Sequence, residues 1–178
     1  MSLFLESARV EDAKKAEAMW FIEGIITNPK RIEEVGLPPL EVLENLVDIF
    51  DGHVFYQLTA QTLEARLDEA WQAYEIRPDR VVIKLHASTE NLSFLARVPE
   101  IEVAITAVFN PLQAYAAAEA NAAYVLVHVN QAQQYLGDYQ SLIAKIAKLL
   151  ENSDTVLVAT DIHNQEQALN ALIAGAKH

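Results

Sequence analysis

The chain has 178 residues, of which 52% are hydrophobic and 21% charged, a mixture typical of one globular domain over residues 1–178. The net charge of -12 argues against a nucleic-acid partner, because phosphate backbones are bound by clustered Lys and Arg. There is no Cys, which excludes a disulfide scaffold and thiol chemistry.

The N-terminal segment has no basic region followed by an apolar run, so we expect no secretory signal. No apolar stretch approaches the roughly 20 residues that a membrane span requires. The sequence therefore predicts a cytoplasmic protein without a membrane partner.

Apolar, β-branched runs alternate with amphipathic segments along the whole chain. Strands are predicted at residues 2–6, 22–28, 54–59, 81–86, 102–108, 123–130 and 155–161. Between them, residues 62–74 and 139–150 carry apolar side chains at helical spacing, and Ser88 and Asn110 are expected helix N-caps. Near-continuous apolar strands of this length are typical of a parallel sheet that is covered on both faces.

Seven strands, each followed by a helix, leave two α/β architectures: a doubly wound sheet and a (β/α) TIM-type barrel. The chain contains no Gly-x-Gly-x-x-Gly motif and no P-loop, and it has only 5 glycines. This favours the barrel. The doubly wound sheet stays open as an alternative because the strand count stops at seven.

Lys84 interrupts the otherwise apolar strand at 81–86. Side chains alternate along a strand, so Lys84 shares one face with Val82 and His86. If Lys84 faced the helix layer, its ammonium would be buried without a partner, which is costly. We therefore expect it to point into the barrel, where desolvation lowers the pKa of an amine and makes it nucleophilic toward carbonyls. The alternative is a structural lysine that forms an ion pair inside the barrel, with Glu6 as candidate partner.

Other polar side chains recur near the C-terminal ends of predicted strands, where barrel active sites are built. They are Glu6, Thr27, Asn28, Gln57, Thr106, His128 and Asp161. Each one alone has an ordinary structural explanation, and only their recurrence predicts a site. The five histidines show no ligand spacing such as His-x-x-x-His, so no metal site is predicted.

Several segments together resemble the transaldolase family, and in particular its short, single-domain branch, which includes fructose-6-phosphate aldolase. The matching segments are residues 3–8, 24–29, 82–84, 105–109, 127–130 and 168–176. The combination of the Thr-Asn-Pro turn, the strand lysine and the Thr-Ala-Val strand is more specific than any one of these elements. The register of the resemblance holds along essentially the whole chain.

The resemblance implies a TIM-type barrel and a class I aldol mechanism that needs no metal or other cofactor. Lys84 would form an imine with a small ketose, and the enzyme would cleave or transfer a three-carbon ketol unit of a sugar or sugar phosphate. Such an enzyme is a lyase or transferase of carbohydrate metabolism, as in the pentose phosphate reactions. The resemblance also implies a homo-oligomer.

Roles for the other residues follow from the same resemblance. Glu6 would shuttle protons, and Gln57 and Thr106 would position the catalytic water. His128, which stands where the aldolase branch has a tyrosine, would relay a proton. The predicted substrate-binding residues are Thr27, Asn28, Gln131 and Asp161.

The chain also departs from the family pattern. Glu6 replaces an aspartate and so carries its carboxylate about one methylene further out, and small misplacements can lower catalysis heavily. Gln131 replaces an arginine that holds the substrate phosphate, and Asp161 replaces a serine of the same pocket, so a sugar phosphate would meet a carboxylate. These changes keep a second hypothesis open, a catalytically impaired transaldolase-like protein that acts as a binding or assembly subunit.

Residues 175–178 match the turn that precedes the eighth strand in the family. We therefore expect a barrel that lacks the eighth strand and the terminal helices in this chain, with two exposed strand edges. Two explanations stay open: a second subunit closes the gap, or the protein has further residues beyond residue 178.

Overall fold

The computed structural model describes residues 3–178, in which seven strands alternate with nine helices. The strands are β1 (Leu3–Glu6), β2 (Ile22–Ile26), β3 (His53–Gln57), β4 (Val81–His86), β5 (Val103–Thr106), β6 (Tyr124–His128) and β7 (Val156–Thr160). The helices are α1 (Val10–Glu17), α2 (Pro29–Val35), α3 (Pro39–Val47), α4 (Leu63–Ile76), α5 (Thr89–Leu95), α6 (Pro111–Glu119), α7 (Val129–Leu136), α8 (Tyr139–Leu149) and α9 (Gln165–Ala174).

Contacts divide these elements into two compact units. The N-terminal unit comprises residues 3–84 and Val98–Glu102, and the C-terminal unit comprises Leu85–Arg97 and Val103–His178. The prediction of a single domain stays a prediction.

Within each unit the spatial order of the strands follows their order in the chain. The order is β1-β2-β3-β4 in the N-terminal unit, to which β4 contributes residues 81–84, and β5-β6-β7 in the C-terminal unit, and the pairs are parallel. A doubly wound sheet reverses its strand order at a switch point, and no reversal occurs in either unit. The TIM-type (β/α) fold is therefore confirmed, and the doubly wound alternative is wrong.

Five predicted strands are too long at their C-terminal ends, namely those at 22–28, 54–59, 102–108, 123–130 and 155–161. The strand predicted at 22–28 ends at Ile26, because the Asn28 side chain accepts a hydrogen bond from the Arg31 N–H and caps α2. The strand predicted at 123–130 ends at His128, since α7 begins directly at the next residue. Ser2, part of the strand predicted at 2–6, lies outside the described residues.

The expected helices and caps are observed. Residues 62–74 fall in α4 with its N-cap Thr62, and 139–150 fall in α8 with one end residue beyond it. The side chains of Ser88 and Asn110 accept hydrogen bonds from the first turns of α5 and α6, and Asn110 forms a full capping box with Gln113.

The segment that follows α9 pairs with β7. Lys177 N–H donates to the Leu157 carbonyl over 2.8 Å, and Ala159 N–H donates to the His178 carbonyl over 2.9 Å. None of the helices within residues 3–178 combines the length and apolar composition that a membrane crossing needs.

Gly52 precedes β3 at a point of close backbone approach, and its replacement should destabilise the fold. A Cβ at this position would lie 2.5 Å from the Glu23 carbonyl oxygen and 2.5 Å from the Phe50 ring. We expect Gly52→Ala to lower the free energy of unfolding by about 2 to 3 kcal/mol in urea titrations, because backbone must shift. The control Gly36→Ala, at φ 78° with no atom within 4 Å of the added carbon, should lose only about 1 kcal/mol. Equal losses would contradict the steric explanation.

Candidate active site

The N-terminal unit collects three predicted catalytic side chains on one face of its sheet. The rings of Phe4 and Phe55 touch, with centroids 5.3 Å apart, so these two residues share a face. Glu6 and Gln57 each lie two residues further along the same strands and therefore project to that face too. Lys84 is the register partner of Gln57 across β3 and β4. The amine, the carboxylate and the amide thus lie on the same face of the sheet as the two rings, with Glu6 at the level of Phe55 and with Gln57 and Lys84 one level further on.

The ammonium of Lys84 is buried and bonded to backbone. Its side chain is 3% exposed, and Nζ donates to the Thr27 carbonyl oxygen over 2.6 Å. Thr27 is itself held in place, because its backbone N–H and its hydroxyl both donate to the Phe55 carbonyl, over 3.1 and 2.7 Å. The carbonyl that receives the amine is therefore fixed by the neighbouring strand.

Burial lowers the pKa of Lys84 from 10.5 to about 8, because the interior disfavours the charged amine. The carboxylate of Glu6 acts in the opposite direction and raises it, but its effect is the smaller one. Within residues 3–178 the amine has no ion pair, and its hydrogen-bond partner is the Thr27 carbonyl. The alternative of a lysine locked in an ion pair with Glu6 is therefore not what the structure shows.

Asn28 connects the predicted carboxylate to the start of α2. Its Oδ1 accepts the Arg31 N–H over 2.9 Å, so its Nδ2 is turned the other way and donates to Glu6 Oε1 over 3.0 Å. The helix cap thus decides which end of the amide faces Glu6. Glu6 itself is exposed at the end of β1.

The C-terminal unit carries a second group of predicted residues. Thr106 Oγ1 and His128 Nε2, at the ends of β5 and β6, lie 2.9 Å apart in a hydrogen bond, and Thr106 is buried while His128 is half-buried. This pair can pass a proton through the imidazole, whose two nitrogens take both donor and acceptor roles. The assignment of His128 as a relay stays a prediction.

Asp161 occupies the N-terminus of α7. Its Oδ2 accepts the Gln131 N–H over 3.1 Å, and its backbone carbonyl accepts the Asn130 N–H over 3.3 Å. Its Oδ1 lies 3.0 Å from His163 Nε2. A helix N-terminus attracts anions, and here a carboxylate of the chain already fills that role. A phosphate placed at this helix start would meet like charge.

The structure thus groups the predicted residues in two sets, each within its own unit. The N-terminal set is Glu6, Thr27, Asn28, Gln57 and Lys84, and the C-terminal set is Thr106, His128, Gln131 and Asp161. Gln131 contacts Asp161 through its backbone rather than its side chain. Among residues 3–178 no group of three or more His, Asp and Glu side chains is placed to hold a metal ion.

Sequence reasoning missed two residues in these surroundings, Glu69 and His163. His163 lies two residues after Asp161 and forms a hydrogen bond with its carboxylate. This spacing matches no metal-ligand motif, so the sequence did not indicate the pair. Glu69 accepts hydrogen bonds from the loop after β3. No sequence pattern singles out Glu69, because the burial of Arg66 and Ala73 on its helix face is seen only in the structure.

Comparison with known proteins places these features in a family. Residues 39–177 match the family model described as Transaldolase/Fructose-6-phosphate aldolase. A probable transaldolase of Symbiobacterium thermophilum is 30% identical over 99% of this chain and 83% of its own length. A probable transaldolase of Aquifex aeolicus is 29% identical over 99% of this chain and 82% of its own length.

A solved structure supports the fold alone. The crystal structure of orotidine 5'-monophosphate decarboxylase from Metallosphaera sedula superposes with a TM-score of 0.72 at 16% sequence identity. The match covers 100% of this chain and 86% of that one. The decarboxylase has the same architecture as this chain, whereas the sequence relatives belong to the same family.

Replacing Lys84 by Met should stabilise the protein at neutral pH. The folded state holds the Lys84 proton less tightly than the unfolded state, so wild-type stability rises with pH between about 8 and 10.5. Below that window the burial of the charge costs roughly 3 kcal/mol. We expect urea titrations to show Lys84→Met more stable at pH 7 by up to that amount, with the difference shrinking by pH 10. A difference that is constant across this range would contradict the lowered pKa.

Proposed function

Since the chain belongs to the transaldolase/fructose-6-phosphate aldolase family, we propose that it is a class I aldolase or transaldolase in which Lys84 forms an imine with a small ketose. The single observation that supports this best is the buried amine: 3% exposed, bonded to a carbonyl, with its pKa lowered to about 8. Imine formation needs a neutral amine with a free electron pair.

The lowered pKa has a direct effect on the supply of nucleophile. At pH 7 an amine with a pKa of about 8 is neutral in about a tenth of the molecules, against fewer than about one in a thousand for an ordinary lysine. A carbonyl partner also leaves the electron pair available once the amine has lost its proton. An ion pair with a carboxylate would instead favour the protonated amine. Both properties favour attack on a carbonyl carbon.

The proposed reaction begins when Nζ of Lys84 attacks the C2 carbonyl and forms a carbinolamine, which loses water to give the iminium. The Glu6 carboxylate takes the proton of the C4 hydroxyl, the C3–C4 bond breaks, and its electron pair flows into the iminium. An aldehyde leaves and a three-carbon enamine remains on Lys84. The enamine is then protonated at C3 or attacks an acceptor aldehyde, and water hydrolyses the imine to release the product.

Asn28 and Gln57 support these steps in the proposal. Asn28 Nδ2 donates to Glu6 and so orients the carboxylate before substrate arrives. Gln57 is the register partner of Lys84, on the same face, where its amide can hold the water that enters or leaves at the imine carbon. The substrate class, a small sugar or other carbonyl compound, is part of this proposal, and the homo-oligomer stays a prediction.

The alternative, an impaired transaldolase-like binding or assembly subunit, is less well supported. It depends on the substitutions in the sequence and on the missing eighth strand, and it predicts a lysine engaged in an ion pair. The carbonyl partner of Lys84 and its lowered pKa favour the enzyme instead.

Borohydride trapping tests the proposal. The protein is incubated with dihydroxyacetone or fructose 6-phosphate, reduced with sodium borohydride and measured by intact-mass spectrometry. We expect one reduced adduct in the wild type, none in Lys84→Ala, and an unchanged adduct in the control Lys30→Ala, which removes an exposed lysine. The midpoint of adduct formation against pH should lie near 8. An adduct that persists in Lys84→Ala, or no adduct with either substrate, rules out the mechanism.

Replacing Glu6 by Gln should separate its electrostatic role from its proton transfer. Loss of the negative charge removes the influence that raises the Lys84 pKa, so the pH midpoint of adduct formation should fall below the wild-type value. Carbon-carbon cleavage should fall by on the order of 100-fold, because the base for the C4 hydroxyl is lost. Glu11→Gln, in the first turn of α1, is the control and should match the wild type in both measurements. A rise of the midpoint in Glu6→Gln would be inconsistent with this geometry.

A further inference from the structure

Glu69 of α4 gathers most of the hydrogen-bond donors that surround the end of β3. Its Oε2 accepts the backbone N–H groups of Thr59 and Ala60, over 3.0 and 2.9 Å. Its Oε1 accepts the Tyr56 hydroxyl over 3.0 Å and lies 3.2 Å from the Thr59 N–H and 3.3 Å from the Thr59 hydroxyl. One half-buried carboxylate therefore binds Tyr56, which precedes Gln57, and both Thr59 and Ala60, which follow it.

The segment that Glu69 holds is joined directly to the nucleophile's strand. Leu58, between Gln57 and Thr59, donates its N–H to the Lys84 carbonyl over 3.2 Å. Gln57 and Lys84 are register partners. The end of β3 is thus fixed on one side by the backbone of Lys84 and on the other by the Glu69 carboxylate.

The bonds to Glu69 are not needed to build α4. The N-terminus of that helix has its own cap, since the Thr62 side chain accepts the Ala65 N–H over 3.2 Å. Glu69 lies about two turns further along, and helical side chains lean toward the N-terminus, so its carboxylate reaches back over the first turn to the preceding loop. Burial raises the pKa of the Tyr56 phenol, and the neighbouring Glu69 carboxylate raises it further, so the hydroxyl stays a donor to Glu69 at all ordinary pH values.

We propose that Glu69 is a positioning residue for the imine chemistry: by clamping residues 59 and 60 it holds Gln57 in place opposite Lys84. This inference rests on the proposed function. Glu69 itself touches no reacting group, and its effect reaches the reaction through Gln57. Because a displacement of about 1 Å in a catalytic group can lower a rate by about 100-fold, a carboxylate that binds four donors at this point has a large effect to exert.

The main variant is Glu69→Gln, which keeps the shape of the side chain but replaces one acceptor oxygen by a donor that faces N–H groups. We expect the borohydride adduct at Lys84 to reach the wild-type yield after long incubation, because the amine and its Thr27 partner are untouched, but to form more slowly, because Gln57 no longer holds the water that leaves at the imine carbon. Turnover should fall about 10- to 100-fold in kcat, with KM changed by less than about 3-fold. Amide exchange at Thr59 and Ala60 should be faster. The matched control is Glu64→Gln, an exposed glutamate in the first turn of the same helix, which should behave as wild type.

A double-mutant cycle with Gln57→Ala distinguishes positioning from general stabilisation. If Glu69 acts through Gln57, its removal costs nothing further once Gln57 is gone, so the double variant should have the kcat of Gln57→Ala alone. A stabilising role without positioning predicts instead that the two losses multiply. That result, or a wild-type kcat in Glu69→Gln, overturns the inference and leaves the proposed function standing.

A second variant and the trapping experiment complete the test. If Glu69→Gln does not fold, Tyr56→Phe takes its place, because it keeps the ring and removes only the hydroxyl that donates to Glu69. A fall in kcat of about 3-fold or more, again absent in the Gln57→Ala background, supports the clamp, and an unchanged kcat opposes it. If the wild type forms no borohydride adduct with dihydroxyacetone or fructose 6-phosphate, the proposed function fails and this inference fails with it.

Discussion

The hydrogen bond from Lys84 Nζ to the Thr27 carbonyl is the interaction on which the chemistry of the N-terminal unit depends. It places an amine in an interior where charge is disfavoured, and it supplies a neutral dipole in place of a counter-ion. The carbonyl is available because Thr27 bonds twice to Phe55 and cannot turn away. Burial thus lowers the pKa of Lys84, and the residue that follows β2 supplies its hydrogen-bond partner.

Groups that end a strand or begin a helix also serve the candidate site. Asn28 caps α2 with its oxygen and orients Glu6 with its nitrogen, and Asp161 caps α7 while adding a negative charge at that helix start. Such residues link local stability to function, since their replacement removes a helix cap along with a site contact. At Lys84 stability and function are opposed, because the residue that gives the proposed activity lowers the stability of the fold at neutral pH.

Much of the fold follows from the chain alone. Apolar runs separated by amphipathic segments predict seven parallel strands, and β4 is bounded as expected at Val81–His86. The errors lie at strand ends such as Thr27–Asn28 and residues 129–130, where a cap or an early helix start interrupts an apolar run. Propensity reads these residues as strand, whereas the hydrogen bonds that end the strand come from the following helix.

For the candidate site, the sequence by itself determined which side chains share a face within one strand, since the period of two places Lys84 with Val82 and His86. The sequence does not set the register that puts Glu6 and Gln57 on the face of Lys84. It could not say what each one touches. The partner of Lys84 is a backbone carbonyl, which no residue type reveals, and Glu69 is recruited by N–H groups nine and ten residues away. Only the tertiary structure decided these contacts, because backbone groups are the same at every position and only folding brings particular ones within hydrogen-bond distance.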